Sequence, residues 1–178
     1  MIDPLIVLIL SASLALLFFM AARHKMRAPG QFKAQLAAYE LVPEFMLPAV
    51  AKILPYIERA VVFLILVPFS RPVAAVVAAT LLTVYALSMA VNMLRGRADI
   101  DCGCGGQPQL LSSWLLLRNG VLVAGCCLLL APVSERAMTW ADGSFLVLMT
   151  AVLAMVYLLV EQLVRNQSFS DDRGASHG

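Results

Sequence analysis

The chain has 178 residues, of which 61% are hydrophobic and 13% charged, and its mean hydropathy is +0.86. Soluble domains carry about a quarter charged residues, so this balance excludes an ordinary water-soluble protein and indicates an integral membrane protein. The net charge of +2 comes from basic residues scattered along segment ends without aromatic interleaving, which excludes a nucleic-acid surface and leaves the lipid bilayer as the first partner.

A hydrocarbon core of about 30 Å takes roughly 17 to 25 helical residues to cross. Five stretches approach or reach that length: 4–22, 53–69, 72–94, 114–130 and 145–160. Met1-Ile2-Asp3 offers no basic n-region and further spans follow, so the first stretch is expected as a retained helix and not a cleaved signal peptide. The connector 23–52 carries Phe32, Leu36 and Tyr39 at helical spacing, with Gln31, Lys33 and Gln35 between them. That pattern predicts a short amphipathic helix in the headgroup plane, with an ordinary linker as the alternative. Pro43 and Pro48 then break the chain around Phe45, Met46 and Leu47. The third stretch is free of charge, whereas the second holds Glu58 and Arg59 and the fourth holds Arg118. Residues 166–178 are rich in Ser, Asp and Gly and are expected to be a disordered tail. The short connections leave no room for a separate soluble domain, so residues 1–165 are expected to form a single transmembrane bundle. The predicted fold is therefore all-α: a polytopic bundle of about five transmembrane helices, with an amphipathic interfacial segment between the first two.

With five crossings, the exit of span one, the entry of span two, the exit of span three and the entry of span four share one face. His24 and Lys25, Glu58 and Arg59, Asn92, Arg95 and Arg97, and Arg118 and Asn119 gather there, with Cys102 and Cys104 between spans three and four. A charge near the centre of a span costs about 2.5 to 3.5 kcal/mol on insertion scales, so such groups pair or line a wet cavity. Glu58 and Arg118 lie at matching depth with opposite sign and are expected to pair, with Asn119 or Asn92 adding hydrogen bonds. The alternative is that Arg118 snorkels to the headgroups.

Residues 101–106 read Asp-Cys-Gly-Cys-Gly-Gly. A disulfide across a single residue closes a small ring whose geometry is hard to reach, so it is more easily reduced and suits an exchange site better than a staple. Gly103, Gly105 and Gly106 ease the turn. Arg95, Arg97 and Arg118 favour a thiolate, while Asp99 and Asp101 oppose it. Metal binding would need a second pair of ligands. Cys126 and Cys127 lie about twelve residues beyond Trp114, roughly 18 Å along a helix, and are expected to pack between helices; no metal site is expected. His24 is either a proton carrier or a solvated helix-end residue.

In order, the features are Lys25 closing span one, a connector with Tyr39 and Pro43, and Leu54-Pro55-Tyr56-Ile57-Glu58 opening span two. Asn92-Met93-Leu94-Arg95-Gly96, Asp101-Cys102-Gly103-Cys104 and Arg118-Asn119 follow. Across residues 5–130 this order resembles the methylamine utilisation protein MauE family and its DoxX-like membrane relatives. Relatives often place an aromatic residue after the second cysteine, where this chain has Gly105-Gly106. The resemblance implies a thiol-disulfide oxidoreductase component that matures the small (beta) subunit of methylamine dehydrogenase, a disulfide-rich periplasmic polypeptide, together with a thioredoxin-like partner, MauD. In that role Cys102 and Cys104 are the exchanging pair, and Glu58, Arg118, Asn119, Asn92 and His24 form the supporting polar cluster. A four-helix core similar to that of vitamin K epoxide reductase is a looser analogy, and by it a membrane quinone near Arg118, Asn119 and His24 is the electron acceptor.

A non-enzymatic scaffold for the same maturation is the competing reading, and a transporter is weaker because repeated halves are missing. The cysteine face carries more basic residues than the other, including Arg23, Lys25, Arg27, Lys33 and Lys52, which by the positive-inside rule would face the cytoplasm. The resemblance instead implies a bacterial inner-membrane protein with its cysteine loop on the oxidising periplasmic face.

Overall fold

A computed structural model describes residues 2–97, 100 and 111–175, with side chains through residue 163 apart from residue 161. Six α-helices and one 3₁₀ turn make up the described residues: α1 (Pro4–Arg27), α2 (Pro29–Ala38), the turn Glu44–Met46, α3 (Leu47–Leu66), α4 (Arg71–Leu94), α5 (Ser113–Leu128) and α6 (Trp140–Ala175). Among them there is no strand, only one isolated bridge between Ile2 and Val133. The chain forms two compact units, Met1–Arg136 with α1 to α5 and Ala137–Gly178 with α6.

The helices start where local chemistry favours it. Asp3 caps α1, its carboxylate accepting from Leu5 N–H at 2.8 Å, and Pro4 occupies the first turn, where no amide partner is needed. Val7, Ser11, Leu14, Ala15, Phe18, Ala22 and Lys25 then form one buried stripe. Helix α4 buries a parallel run of small residues, Ala74, Ala75 and Ala78, each fully enclosed, which lets neighbouring backbones approach closely. Its end is a Schellman turn: Gly96 at φ 73° donates to Met93 O and Arg97 N–H donates to Asn92 O, both at 3.0 Å. Between α3 and α4 the Ser70 hydroxyl donates to Leu64 O at 2.8 Å and Arg71 N–H to Val67 O at 2.9 Å, satisfying carbonyls left open at the end of α3.

Helices α1 and α3 pack together, α4 and α5 pack together, and α3 joins the pairs through α4. Val7, Leu14, Phe18, Val61, Ile65, Ala78, Leu82 and Cys126 share the main core. Ile2 N–H donates to Pro132 O and Ser134 N–H to Ile2 O, each at 2.9 Å, and Arg136 pairs with Asp3 at 3.2 Å, so the start of α1 meets the end of α5. At the opposite end the Asn92 amide donates to Tyr39 O at 3.2 Å, bringing the end of α4 to the end of α2.

Outside this core the helices are apolar as well. Phe63, Val73, Leu87, Leu94 and Val121 are all more than half exposed, a surface that lipid covers and water does not favour. In the second unit, Thr139 N–H and its hydroxyl both reach the Asp142 carboxylate, at 2.7 and 2.9 Å, closing the first turn of α6. Among the described residues three helices are long and apolar enough to cross a membrane, Pro4–Arg27, Arg71–Leu94 and Trp140–Val160, and the fold reads as that of a membrane protein. Helix α5 is apolar but has 16 residues, and α3 carries Lys52, Glu58 and Arg59.

Helix boundaries differ from the apolar runs in an instructive way. Helix α1 continues to Arg27, α3 begins at Leu47 and α6 at Trp140, where the runs suggested 22, 53 and 145. A hydropathy run stops at the first charge, whereas a helix stops only when its backbone hydrogen bonds end. Helix α6 likewise extends to Ala175, past the tail boundary expected at 166.

Candidate functional site

Helix α1 keeps its register to its last turn, so the stripe through Phe18 and Ala22 delivers Lys25 inward, where it is 5% exposed. On α3, Pro55, Glu58, Val62 and Ile65 share a buried face, and Glu58 is fully enclosed. The Lys25 ammonium is hydrogen-bonded to Glu58 Oε1, and Tyr85 of α4 donates its hydroxyl to the same oxygen at 2.7 Å. Lys25 also lies over two rings, 5.0 Å from the centroid of Tyr85 and 5.4 Å from that of Phe32 on α2. One buried cation and one buried anion thus neutralise each other, and two aromatic faces flank the cation.

Beside this network is a cavity of about 90 Å³. Lys25, Gln35, Tyr85 and Ser88 supply its polar wall, and Phe32, Leu36, Tyr39, Leu54 and Met89 most of the rest. Pro55 follows Leu54 and cannot donate to Ala51 O, so the α3 backbone is loosened next to this wall.

The expected pairing of Glu58 with Arg118 is corrected. Helix α3 packs against α1 and α4, while α5 packs mainly against α4, so the carboxylate meets Lys25 and Tyr85 instead. Nor do the asparagines serve that pair. Asn92 donates to Tyr39 O and Ser88 O at 3.2 and 3.1 Å, and Asn119 donates to Leu115 O at 2.8 Å, both as buried backbone braces. Arg118 is half-buried on α5, and His24 is half-buried on α1, one residue from Lys25 but off its stripe. Cys126 is buried in the main core and Cys127 is exposed. Lys25 and Tyr85 were the residues missed as members of the network. Both were visible in helical phase, Lys25 with Phe18 and Ala22, and Tyr85 with Leu82 and Met89.

Cys102 and Cys104 lie outside the described residues. Their flanks do not. Ile100, two residues before Cys102, and Leu111 pack with Tyr39, Met89 and Leu115 in a second apolar cluster that also includes Tyr85. Arg97 forks onto Glu40, with Nη1 2.7 Å from Oε2 and Nη2 3.1 Å from Oε1, and reaches Ala38 O at 3.2 Å. Ile100 and Leu111 therefore pack in the cluster that also takes Tyr85 of the Lys25–Glu58–Tyr85 network. No group of three or more potential metal ligands occurs among the described residues.

A helical membrane bundle with a buried Lys–Glu ion pair, whose sequence carries two cysteines between α4 and α5, is the class these features define. The family model for "Methylamine utilisation protein MauE" matches residues 3–132, which takes in the whole site. "Methylamine utilization protein MauE" of Paracoccus denitrificans is 43% identical over 127 residues, covering 70% of this chain and 68% of the relative. Its namesakes are 33% identical in Methylophilus methylotrophus, covering 91% and 87%, and 38% identical in Paracoccus versutus, covering 90% and 88%. No solved structure matches the chain. The chain belongs to the MauE family of methylamine utilisation proteins.

Proposed function

We propose that this protein is a thiol-disulfide redox component of the inner membrane that supports maturation of the methylamine dehydrogenase small subunit, with Cys102 and Cys104 as its exchanging pair. The observation that carries the reading is the anchoring of Ile100 and Leu111, on either side of the pair, against Tyr39, Met89 and Leu115 beside a buried ion pair. The family supplies the biological setting, methylamine utilisation.

In the proposed reaction a thiolate of a thioredoxin-like partner, MauD, attacks the Cys102–Cys104 disulfide. A mixed disulfide forms, the partner's second thiolate resolves it, and the partner leaves oxidised while Cys102 and Cys104 become thiols. Two electrons and two protons have then entered the bundle. A membrane quinone, the acceptor offered by the vitamin K epoxide reductase analogy, would take them and restore the disulfide. The cysteine loop faces the periplasm in this scheme, because exchange with a disulfide-forming partner needs an oxidising compartment.

Cys102→Ser and Cys104→Ser, made one at a time, test the reading. One of them should trap a mixed disulfide with the partner, and both should block subunit maturation. Full maturation in both variants would reject thiol exchange and leave a scaffold. Labelling with a membrane-impermeant maleimide in intact reduced cells checks the side: labelled loop cysteines support the periplasmic placement, and protected ones refute it.

A further inference from the structure

The cavity beside Lys25 has a chemistry of its own. Its lining is largely apolar, yet one wall is an ammonium that is 5% exposed. Lys25 has three N–H groups and makes one hydrogen bond, to Glu58, with the Phe32 and Tyr85 rings as its remaining partners. Donor capacity is therefore left on a buried group that borders an open space. The Ser88 hydroxyl is already committed to Val84 O at 2.8 Å. Gln35 and the Ser88 oxygen complete a small polar wall that a bound molecule would meet beside Lys25.

Charge narrows the occupant further. Glu58 already neutralises Lys25, so an anionic ligand would add an uncompensated charge beside a buried carboxylate. A neutral acceptor adds none. About 90 Å³ is smaller than the cavity of about 150 Å³ that encloses a benzene, so it takes one end of a molecule whose remainder lies along the bundle. We infer that this cavity binds the carbonyl end of a neutral, membrane-dissolved molecule, with Lys25 donating to the carbonyl oxygen and Phe32, Leu36 and Met89 packing its apolar stem. An acyl-ester lipid and an isoprenoid quinone both present that chemistry. The inference goes beyond the thiol reading and stands without it.

The test uses the purified full-length chain in nonionic detergent, with binding read by native mass spectrometry and equilibrium dialysis. Four probes are compared: a decyl-substituted benzoquinone, monodecanoylglycerol, decylbenzene and decanoate. At least one carbonyl probe should bind one to one, about tenfold or more tighter than decylbenzene, the margin expected for a hydrogen bond from a charged donor. Decanoate should bind no tighter than the neutral ester. Binding of the benzoquinone alone identifies the occupant as a redox lipid, and binding of the ester identifies it as a bilayer lipid. Leu36→Trp fills the cavity without altering Lys25, Glu58 or Tyr85, and should weaken the favoured probe about tenfold or more while the protein still unfolds cooperatively. Equal binding of decylbenzene, preference for decanoate, binding of no probe, or an unchanged affinity in Leu36→Trp overturns the inference. Cys102→Ser and Cys104→Ser change none of the described residues that line the cavity, so they should retain probe binding whether or not subunit maturation survives.

Discussion

Removing one partner of the Lys25–Glu58 pair is the sharpest perturbation the fold offers. In Lys25→Met the carboxylate, fully enclosed, keeps only the Tyr85 hydroxyl at 2.7 Å. Breaking a buried pair on one side costs about 3 to 5 kcal/mol, because the remaining charge is left uncompensated. Glu58→Met strands the ammonium instead, and the Phe32 and Tyr85 rings return about 1 to 2 kcal/mol of that loss. The double variant Lys25→Met/Glu58→Met leaves no buried charge and places two adaptable apolar side chains in the same volume. Replacement of a whole buried pair by apolar residues is commonly neutral, so its cost should be no more than about 2 kcal/mol. The double variant should therefore be more stable than either single one, a reversal that no additive scheme produces. Equilibrium unfolding in mixed micelles titrated with dodecyl sulfate, followed by helical circular dichroism, measures all four corners of the cycle. Single variants that each cost less than about 1 kcal/mol, the range of an exposed ion pair, would refute the burial argument. So would a double variant whose cost equals the sum of the two.

Three further outcomes follow from the same structure and can be read by the same unfolding assay. Gly96→Ala puts a β-carbon on the φ 73° residue that closes α4 and should cost about 1 to 2 kcal/mol; no change would exclude the left-handed turn. Asp3→Ala removes both the cap on Leu5 N–H and the Arg136 pair, so it should cost about 1 kcal/mol, more than the partly exposed Asp3–Arg136 pair itself, worth about 0.2 to 1 kcal/mol in a double-mutant cycle with Arg136→Ala. Ala78→Leu forces three extra carbons into a fully enclosed position and should cost about 1 to 3 kcal/mol; tolerance there would mean that the helices do not pack closely along the alanine run.

How far the sequence anticipates the fold depends on what each signal reports. The apolar runs lead to helices at all five expected places because hydropathy and helical hydrogen bonding favour the same segments. Phe32 and Tyr39 mark a short helix that packs against α1 and α3. Partner choice is a different matter. Depth along each helix makes Glu58 and Arg118 look matched, but depth says nothing about which helices are neighbours. Lys25 could be read as a helix-end cation until the stripe through Leu14, Phe18 and Ala22 is extended one more turn. Phase, not hydropathy, carries that information. Cys102 and Cys104 stand out in the sequence by their spacing and lie outside the described residues, while the packing of Ile100 and Leu111 depends on long-range contacts that a local pattern does not encode.

The buried network also bears on why such a pair is present at all. An apolar pair in place of Lys25 and Glu58 would hold α1 to α3 about as well, so helix association alone does not account for two charges in this position. What an apolar pair cannot provide is a hydrogen-bond donor on the wall of an otherwise greasy cavity, or an acceptor that orients Tyr85. Tyr85 in turn packs on the cluster that receives both flanks of the cysteine segment. Ion pair and cavity therefore share walls with that cluster, and a molecule bound against Lys25 would touch Met89 and Tyr39, members of the same cluster as Leu111, on which Ile100 also packs. A donor held against an apolar cavity is a use for buried charge that its stability cost leaves open.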